Sequence, residues 1–136
     1  MKYLVLALFL VIVGCAASKG HLNTPSGGPE VIIRNVTEAQ VKDACLTWCS
    51  KHGFRIDDQT NNSITANTSH YLDDGQHVLT IYQIIDLTFN KENSDIHLFG
   101  ELHKFAPDTV GTQEQREWMM GELRKIDETL TYPNGR

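Results

Sequence analysis

The sequence has few cysteines, few prolines and no apolar segment long enough to cross a membrane. Three cysteines and four prolines are spread over 136 residues, so the chain is neither a disulfide-rich scaffold nor a proline-rich linker. Its longest apolar run, residues 4–13, has ten residues, whereas a spanning helix needs about 20. A single globular domain is expected, since about 100 folded residues can support one core.

The sequence also lacks an excess of basic residues and the short motifs of common enzymes. Twelve Lys and Arg residues face 17 Asp and Glu residues, which gives a net charge of −5. An acidic chain repels phosphate backbones, so we expect no nucleic-acid partner. The chain has no P-loop, no G-x-S-x-G, no H-E-x-x-H and no EF-hand loop. We therefore expect a protein that is not an enzyme and that needs no cofactor.

The N-terminal segment has the layout of a secretion signal. Lys2 gives a positive start, residues 4–13 form the apolar run, and Gly14-Cys15 closes it before small and polar residues. A positive start, an apolar centre and small residues at the end are typical of a signal peptide, here residues 1–14.

The tetrapeptide Ile12-Val13-Gly14-Cys15 resembles the lipobox of bacterial lipoproteins. The resemblance is confined to the first fifteen residues. It implies cleavage before Cys15, attachment of lipid to the Cys15 thiol and acylation of the new amino terminus with fatty chains such as palmitate. Such a lipidated protein stays on the membrane surface, because two lipid signals already give stable anchoring.

The same resemblance predicts where the domain resides. In lipoproteins of enteric type an Asp after the cysteine favours retention in the inner membrane, and this chain has Ala16 there. The resemblance therefore implies an outer-membrane protein of the cell envelope whose domain faces the periplasm. Removal of residues 1–14 removes Lys2 and leaves 11 basic against 17 acidic residues, a net charge of −6.

An alternative processing route stays open. Cys15-x-Ala17 is a small-x-small pattern, so an ordinary signal peptidase could cleave after Ala17. Asn35, Asn61 and Asn67 each begin an N-x-Ser/Thr tripeptide and would then be glycosylation acceptors in a eukaryotic secreted protein.

The rest of the chain divides into a tether, one domain and a short tail. Residues 15–29 are rich in Gly, Ser, Pro and Asn and have no apolar period, which predicts a flexible tether behind the lipidated cysteine. The domain is expected over residues 30–132, and residues 133–136 form the tail.

Two helices and five strands are predicted within the domain. Thr37-x-x-Gln40 and Thr112-x-x-Gln115 are capping boxes, and each precedes an apolar stripe with helical spacing. Trp48 on the first stripe and Trp118 on the second are predicted core anchors. The segments outside the helices alternate apolar and polar residues and are joined by short turns, with a loop over residues 107–111.

The element order is therefore β-α-β-β-β-β-α. Because most strands follow one another through turns, the sheet should be mostly antiparallel, and the single apolar stripe of each helix places both helices on one sheet face. The predicted fold is an α+β two-layer sandwich with about five strands and two helices.

Cys45 and Cys49 lie four residues apart on the first predicted helix and so share one face. Their Cα atoms should be about 6 Å apart, within the disulfide range. Two unpaired core residues are favoured, because cysteine is commonly buried. A structural disulfide and a redox or metal role stay open, although C-x-x-x-C is not the thioredoxin spacing.

The strand face that points away from the core carries two sets of candidate residues. Tyr82, Ile84 and Phe99 form an apolar and aromatic set, which predicts a partner-binding surface.

His97, Glu101 and His103 alternate along the last strand and are weak candidates for a zinc or copper site. The polar solvent face of an antiparallel sheet is the simpler interpretation of these three residues.

Three functional hypotheses follow. The first is a membrane-anchored, non-enzymatic binding or accessory protein of the cell envelope, with an envelope protein as its partner. The second is an inhibitor or immunity factor that blocks a basic cell-wall hydrolase through charge complementarity. The third is a metal-handling lipoprotein.

Overall fold

The computed structural model describes residues 22–73, 75–76, 78–105 and 108–133. The predicted signal peptide and Cys15 lie outside the described residues. The elements are β1 (Glu30–Arg34), α1 (Glu38–Lys51), β2 (Arg55–Gln59), β3 (Ser63–Asp73), β4 (Val78–Glu92), β5 (Asp95–Phe105), β6 (Asp108–Val110) and α2 (Gln113–Thr131). Within the described part of the chain, neither helix is long and apolar enough to span a bilayer.

The strands form one antiparallel sheet in the order β1-β5-β4-β3-β2. The predicted α+β fold and the order β-α-β-β-β-β-α are confirmed. The structure adds β6 within residues 107–111, where the sequence predicts a loop. β6 pairs with the last residues of β5. A strand of three residues is too short for an alternating pattern to be recognised in the sequence. The pairing of β6 depends instead on the part of the β5 edge that β1 does not occupy.

Both helices pack on the same face of the sheet, which we call the inner face; the opposite face is the outer face. The buried residues of both layers form one core cluster. Its sheet residues are Val31, Ile33, Ile64, Ala66, Ile85, Leu87, Phe89, Ile96 and Leu98. Its helix residues are Val41, Cys45, Trp48, Cys49, Met119, Leu123 and Ile126.

The capping boxes begin both helices as the sequence predicts. The Thr37 hydroxyl accepts from the Gln40 N–H at 3.2 Å, while the Gln40 side chain accepts from the Thr37 N–H at 2.8 Å. Thr112 and Gln115 repeat the arrangement at 3.2 and 3.0 Å. Each box satisfies two N–H groups that a helix start leaves unpaired.

Trp118 is not a core anchor, so that prediction is wrong. Trp48 is 5% exposed, but Trp118 is 40% exposed. The buried stripe of α2 also contains Gln115 and Glu122, which turns the helix so that Trp118 lies at the margin of the interface. Gln115 and Glu122 can be buried on this stripe because both form hydrogen bonds within the protein. The spacing of apolar residues in the sequence does not predict the burial of these two polar residues.

Gly100 of β5 is a point of close approach between the two layers. A Cβ atom at Gly100 would lie 2.9 Å from both Cγ and Sδ of Met119, a fully buried residue of α2. Real Cβ atoms essentially never come so near, so a side chain here would force the Met119 side chain to shift within the packed core.

We predict that Gly100→Ala lowers the free energy of unfolding by about 1–3 kcal/mol, the usual cost of overpacking. Gly121→Ala is the matched control, because nothing lies within 4 Å of its Cβ position on α2; it should stabilise by up to about 1 kcal/mol through helix propensity. Urea denaturation measures both.

The steric cause can be isolated by adding Met119→Ala. Met119→Ala should cost about 2–5 kcal/mol in the wild-type background and clearly less beside Gly100→Ala, because the new methyl group occupies part of the cavity. Strict additivity of the two substitutions would contradict a direct clash.

Candidate functional site

The outer face is the side of the sheet that neither helix covers. Its β4 and β5 positions include four acidic residues and no Lys or Arg. The acidic residues are Asp86, Glu92, Asp95 and Glu101. His97 and His103 lie on the same face, and each contacts two carboxylates.

The second half of the predicted tether folds against this face. The Leu22 N–H donates to the Gly27 carbonyl at 2.9 Å, and the Gly27 N–H donates to the Thr24 carbonyl at 3.0 Å. The Ser26 N–H then donates to Oε2 of Glu30 at 3.0 Å. Residues 22–29 therefore form a hydrogen-bonded turn that leads directly into β1.

Glu30 is the residue that joins this turn to the sheet. Its side chain is almost fully buried, and its Oε1 lies 2.9 Å from Nδ1 of His97. The other ring nitrogen of His97 lies 3.3 Å from Oε2 of Glu92. Burial raises the pKa of Glu30, but hydrogen bonds from His97 and Ser26 outweigh burial, so the net pKa lies below its ordinary value.

A second cluster lies further along the same two strands. Nε2 of His103 is 3.2 Å from Oδ2 of Asp86 and 3.8 Å from Oε1 of Glu101, and the Thr65 hydroxyl donates to Oδ1 of Asp86 at 2.8 Å. The carboxylate thus stands between the hydroxyl and the imidazole. Both oxygens of Asp86 are therefore engaged, one by the Thr65 hydroxyl and one by the His103 ring.

The three metal candidates do not converge. His97 belongs to the cluster with Glu30 and Glu92, while Glu101 and His103 belong to the cluster with Asp86. Across the residues that the structure describes, no group of three or more His, Cys, Asp or Glu side chains could hold a metal ion.

The candidate binding residues occupy two different places on the outer face. Tyr82 is 38% exposed, and its ring lies 6.0 Å from that of Phe105, which is 48% exposed. We call Tyr82 and Phe105 the aromatic patch. Ile84 follows two residues along β4 and is half-buried. Phe99 is half-buried near His97, with 6.4 Å between ring centres, and does not join the patch.

A groove lies where the outer face meets the edge of β5. β1 pairs with β5 as far as Phe99 and β6 pairs from His103 onward, so residues 100–102 have no register partner on that edge. The groove has a volume of about 320 Å³. Its outer-face wall consists of Asp86, Thr88, Phe99 and Glu101. Arg116 of α2 lines the other side and donates from Nε to the Gly111 carbonyl at 2.9 Å.

Cys45 and Cys49 are both buried, free thiols in the core between α1 and the sheet. The structure therefore has them as unpaired core residues, and the disulfide alternative is not formed in it. Burial raises the pKa of Cys45 to about 12 and that of Cys49 to about 11. Thiols with such pKa values carry almost no thiolate at neutral pH, so neither is suited to redox chemistry or metal binding.

The sequence did not predict a buried polar network between α1 and α2. Nε1 of Trp48 donates to Oε2 of Glu122 at 3.0 Å, and Nζ of Lys125 lies 2.9 Å from Oε1. The His52 ring stacks on Trp48 with 4.2 Å between centres. Burial raises the pKa of Glu122, but hydrogen bonds from Trp48 and Lys125 and the charges of Lys125 and His52 outweigh burial, so the net pKa lies below its ordinary value. The only indication of this network in the sequence is the position of Glu122, next to the apolar stripe of α2.

Comparison with known proteins gives little additional information. No protein-family model matches the chain, and no curated protein matches it. Among solved structures the chain is similar to a DUF4468 family protein from Bacteroides ovatus, with 11% identity and a TM-score of 0.32 over 74% of this chain and 78% of that chain. A similarity at this level carries no argument about function.

The Glu30 contacts predict a measurable acid dependence of stability. We expect Glu30→Gln to lower the free energy of unfolding by about 1–3 kcal/mol at neutral pH, because a buried hydrogen-bonded charge is lost. Since the folded pKa lies below the ordinary 4.5, the Glu30 contribution is complete above that pH and is lost as the pH falls through the folded value.

The difference in stability between wild type and Glu30→Gln should therefore shrink as the pH is lowered below about 4.5. Denaturant titrations at several pH values measure it. Glu128→Gln, at an exposed position of α2, is the control and should change stability by under about 0.5 kcal/mol at every pH. A difference for Glu30→Gln that is constant with pH would rule out this contribution.

The buried thiols predict low reactivity in the folded state. In a Cys15→Ser variant, in which Cys45 and Cys49 are the only cysteines left, a disulfide-exchange reagent at pH 8 should label neither residue until guanidinium is added, and then both. Thiol titration with mass spectrometry gives the count. A protein two mass units lighter that has no thiol in guanidinium would demonstrate a disulfide instead.

Proposed function

We propose that this protein is a lipoprotein of the bacterial cell envelope, anchored through Cys15, and that its domain binds an envelope protein through the outer face. The anchor is supported by the order of Lys2, the apolar run of residues 4–13 and the lipobox-like Ile12-Val13-Gly14-Cys15. Ala16 favours the outer membrane, with the domain in the periplasm.

The binding role is supported by one observation above all: the aromatic patch is exposed on a sheet face without helices. A solvated antiparallel sheet normally carries polar residues on its open face. Two neighbouring aromatic rings, each more than one-third exposed, are instead typical of a contact surface, where aromatic residues are enriched.

The folded turn at residues 22–29 shortens the proposed anchor. Only residues 16–21 separate Cys15 from Leu22, so six residues connect the lipidated cysteine to the domain. The seven Cα–Cα steps from Cys15 to Leu22 span at most about 25 Å. The domain would be held close to the bilayer, and its turn enters beside the outer face.

A non-enzymatic role fits the chemistry of the outer face. The two histidine clusters pair imidazoles with carboxylates, and in the cluster of Asp86 the hydroxyl of Thr65 is separated from His103 by the carboxylate. The buried thiols carry raised pKa values. These groups are arranged for ion pairing and packing.

The anchor is tested by weighing the mature protein. Mass spectrometry of the protein extracted from its own membranes should show a new N-terminus at Cys15 with added acyl mass, and Cys15→Ser should release the domain from the membrane fraction. A mature terminus at Ser18 without fatty acid would disprove the anchor.

The surface is tested by co-purification from the same membranes after chemical cross-linking. Tyr82→Ala with Phe105→Ala should stay folded but lose the cross-linked envelope protein. Tyr132→Ala removes an exposed aromatic residue that follows α2 and is the matched control, which should retain the partner. If both variants retain the cross-linked envelope protein equally, the aromatic patch is not the binding surface.

A further inference from the structure

The outer face has the chemistry to recognise positive charge. We infer that the segment it binds is a basic, extended stretch of polypeptide whose Arg or Lys side chains contact Asp86, Glu101 and the aromatic patch. This inference rests on the proposed binding role and names the kind of partner that the role requires.

The charge distribution is the first argument. No Lys or Arg occupies an outer-face position of β4 or β5, whereas four carboxylates do. The register places two arginines on the outer face of the neighbouring strands, Arg34 of β1 opposite Asp95 and Arg55 of β2 opposite Asn67, and neither is a direct cross-strand partner of Asp86 or Glu101. Asp86 and Glu101 are direct cross-strand partners, and the cross-strand spacing places their Cβ atoms about 5 Å apart. Two like charges at that spacing repel each other, and an incoming cation would lower the repulsion in addition to the contact that Nε2 of His103 makes with both carboxylates.

The exposure of the two carboxylates is the second argument. The side chain of Asp86 is 41% exposed and that of Glu101 is 58% exposed, so an incoming side chain can reach both. His103 contacts one oxygen of each carboxylate. The second oxygen of Asp86 accepts from the Thr65 hydroxyl, so the more exposed Glu101 is the more accessible of the two carboxylates.

The aromatic patch is the third argument. Tyr82 and Asp86 are on the same strand face four residues apart, which corresponds to about 13 Å along β4. A guanidinium or ammonium group binds favourably over an aromatic ring. An extended segment with alternating basic residues would therefore place one cation at Tyr82 and Phe105 and another between the carboxylates.

The groove beside β5 extends this surface. Asp86 and Glu101 form its outer-face wall together with Thr88 and Phe99, so the acidic pair lines a cavity of about 320 Å³. Arg116 lines the opposite side of this groove and repels a second cation, so an incoming basic side chain would bind at the outer-face wall. An acidic surface repels nucleic-acid phosphates and anionic lipid headgroups, which leaves a basic polypeptide as the occupant.

The test uses a nine-residue peptide of alternating Arg and Ser as the probe, titrated into the purified mature protein at low ionic strength. The same peptide with citrulline in place of arginine keeps the shape and removes the charge. We expect binding of the arginine peptide, and affinity at least about tenfold lower for the citrulline peptide, since charge pairs dominate such contacts at low salt.

Two protein variants with equal change in net charge locate the site. Asp86→Asn with Glu101→Gln should weaken arginine-peptide binding about tenfold, whereas Glu117→Gln with Glu128→Gln, on exposed positions of α2, should weaken it less than about twofold. Tyr82→Ala with Phe105→Ala should weaken it about two- to fivefold. Circular dichroism checks that each variant is folded.

Equal weakening by the two charge variants would show that the peptide senses overall acidity, and the inference would be wrong. It would also be wrong if both peptides bound equally, because the face would then recognise apolar chemistry. Neither result bears on the fatty acid at Cys15 or on co-purification, so failure of this inference is distinguishable from failure of the proposed function.

Discussion

Both helices bury their apolar stripes on the inner face of one antiparallel sheet, and this shared burial organises the molecule. Ile85, Leu87 and Phe89 of β4 point toward the helices and are fully buried. Because side chains alternate along a strand, Ile84 and Asp86 must point the other way. The core thus determines which residues form the outer face, and no helix remains to cover them.

Two buried carboxylates connect elements of the structure through hydrogen bonds and ion pairs, in addition to the apolar core. Glu122 joins α2 to Trp48 of α1, and Glu30 joins the turn of residues 22–29 to His97 of β5. Each carboxylate is almost excluded from solvent, and each pKa is lowered because hydrogen bonds to the ionised form outweigh burial. Such groups stabilise only when every partner is in place, so they define the helix packing and the path of the chain into β1.

The elements were predictable because their signals are local. The capping boxes at Thr37 and Thr112 are read within four residues, and the strand alternation of β4 is read within one segment. The outer-face location of Tyr82, Ile84 and Phe99 follows from that alternation. Their division into an aromatic patch and a groove wall does not, because it depends on the register between β4 and β5 and on where β1 ends.

The sequence by itself determined the element order, the sheet faces, the helix starts and the lipobox-like N-terminus, because each depends on neighbours within a few positions along the chain. Tertiary structure alone decided the exposure of Trp118, the pairing of β6, and the partners of Glu30 and Glu122. Those features depend on residues that are distant in the chain and adjacent in space. Only the strand register and the helix rotation specify which of them meet.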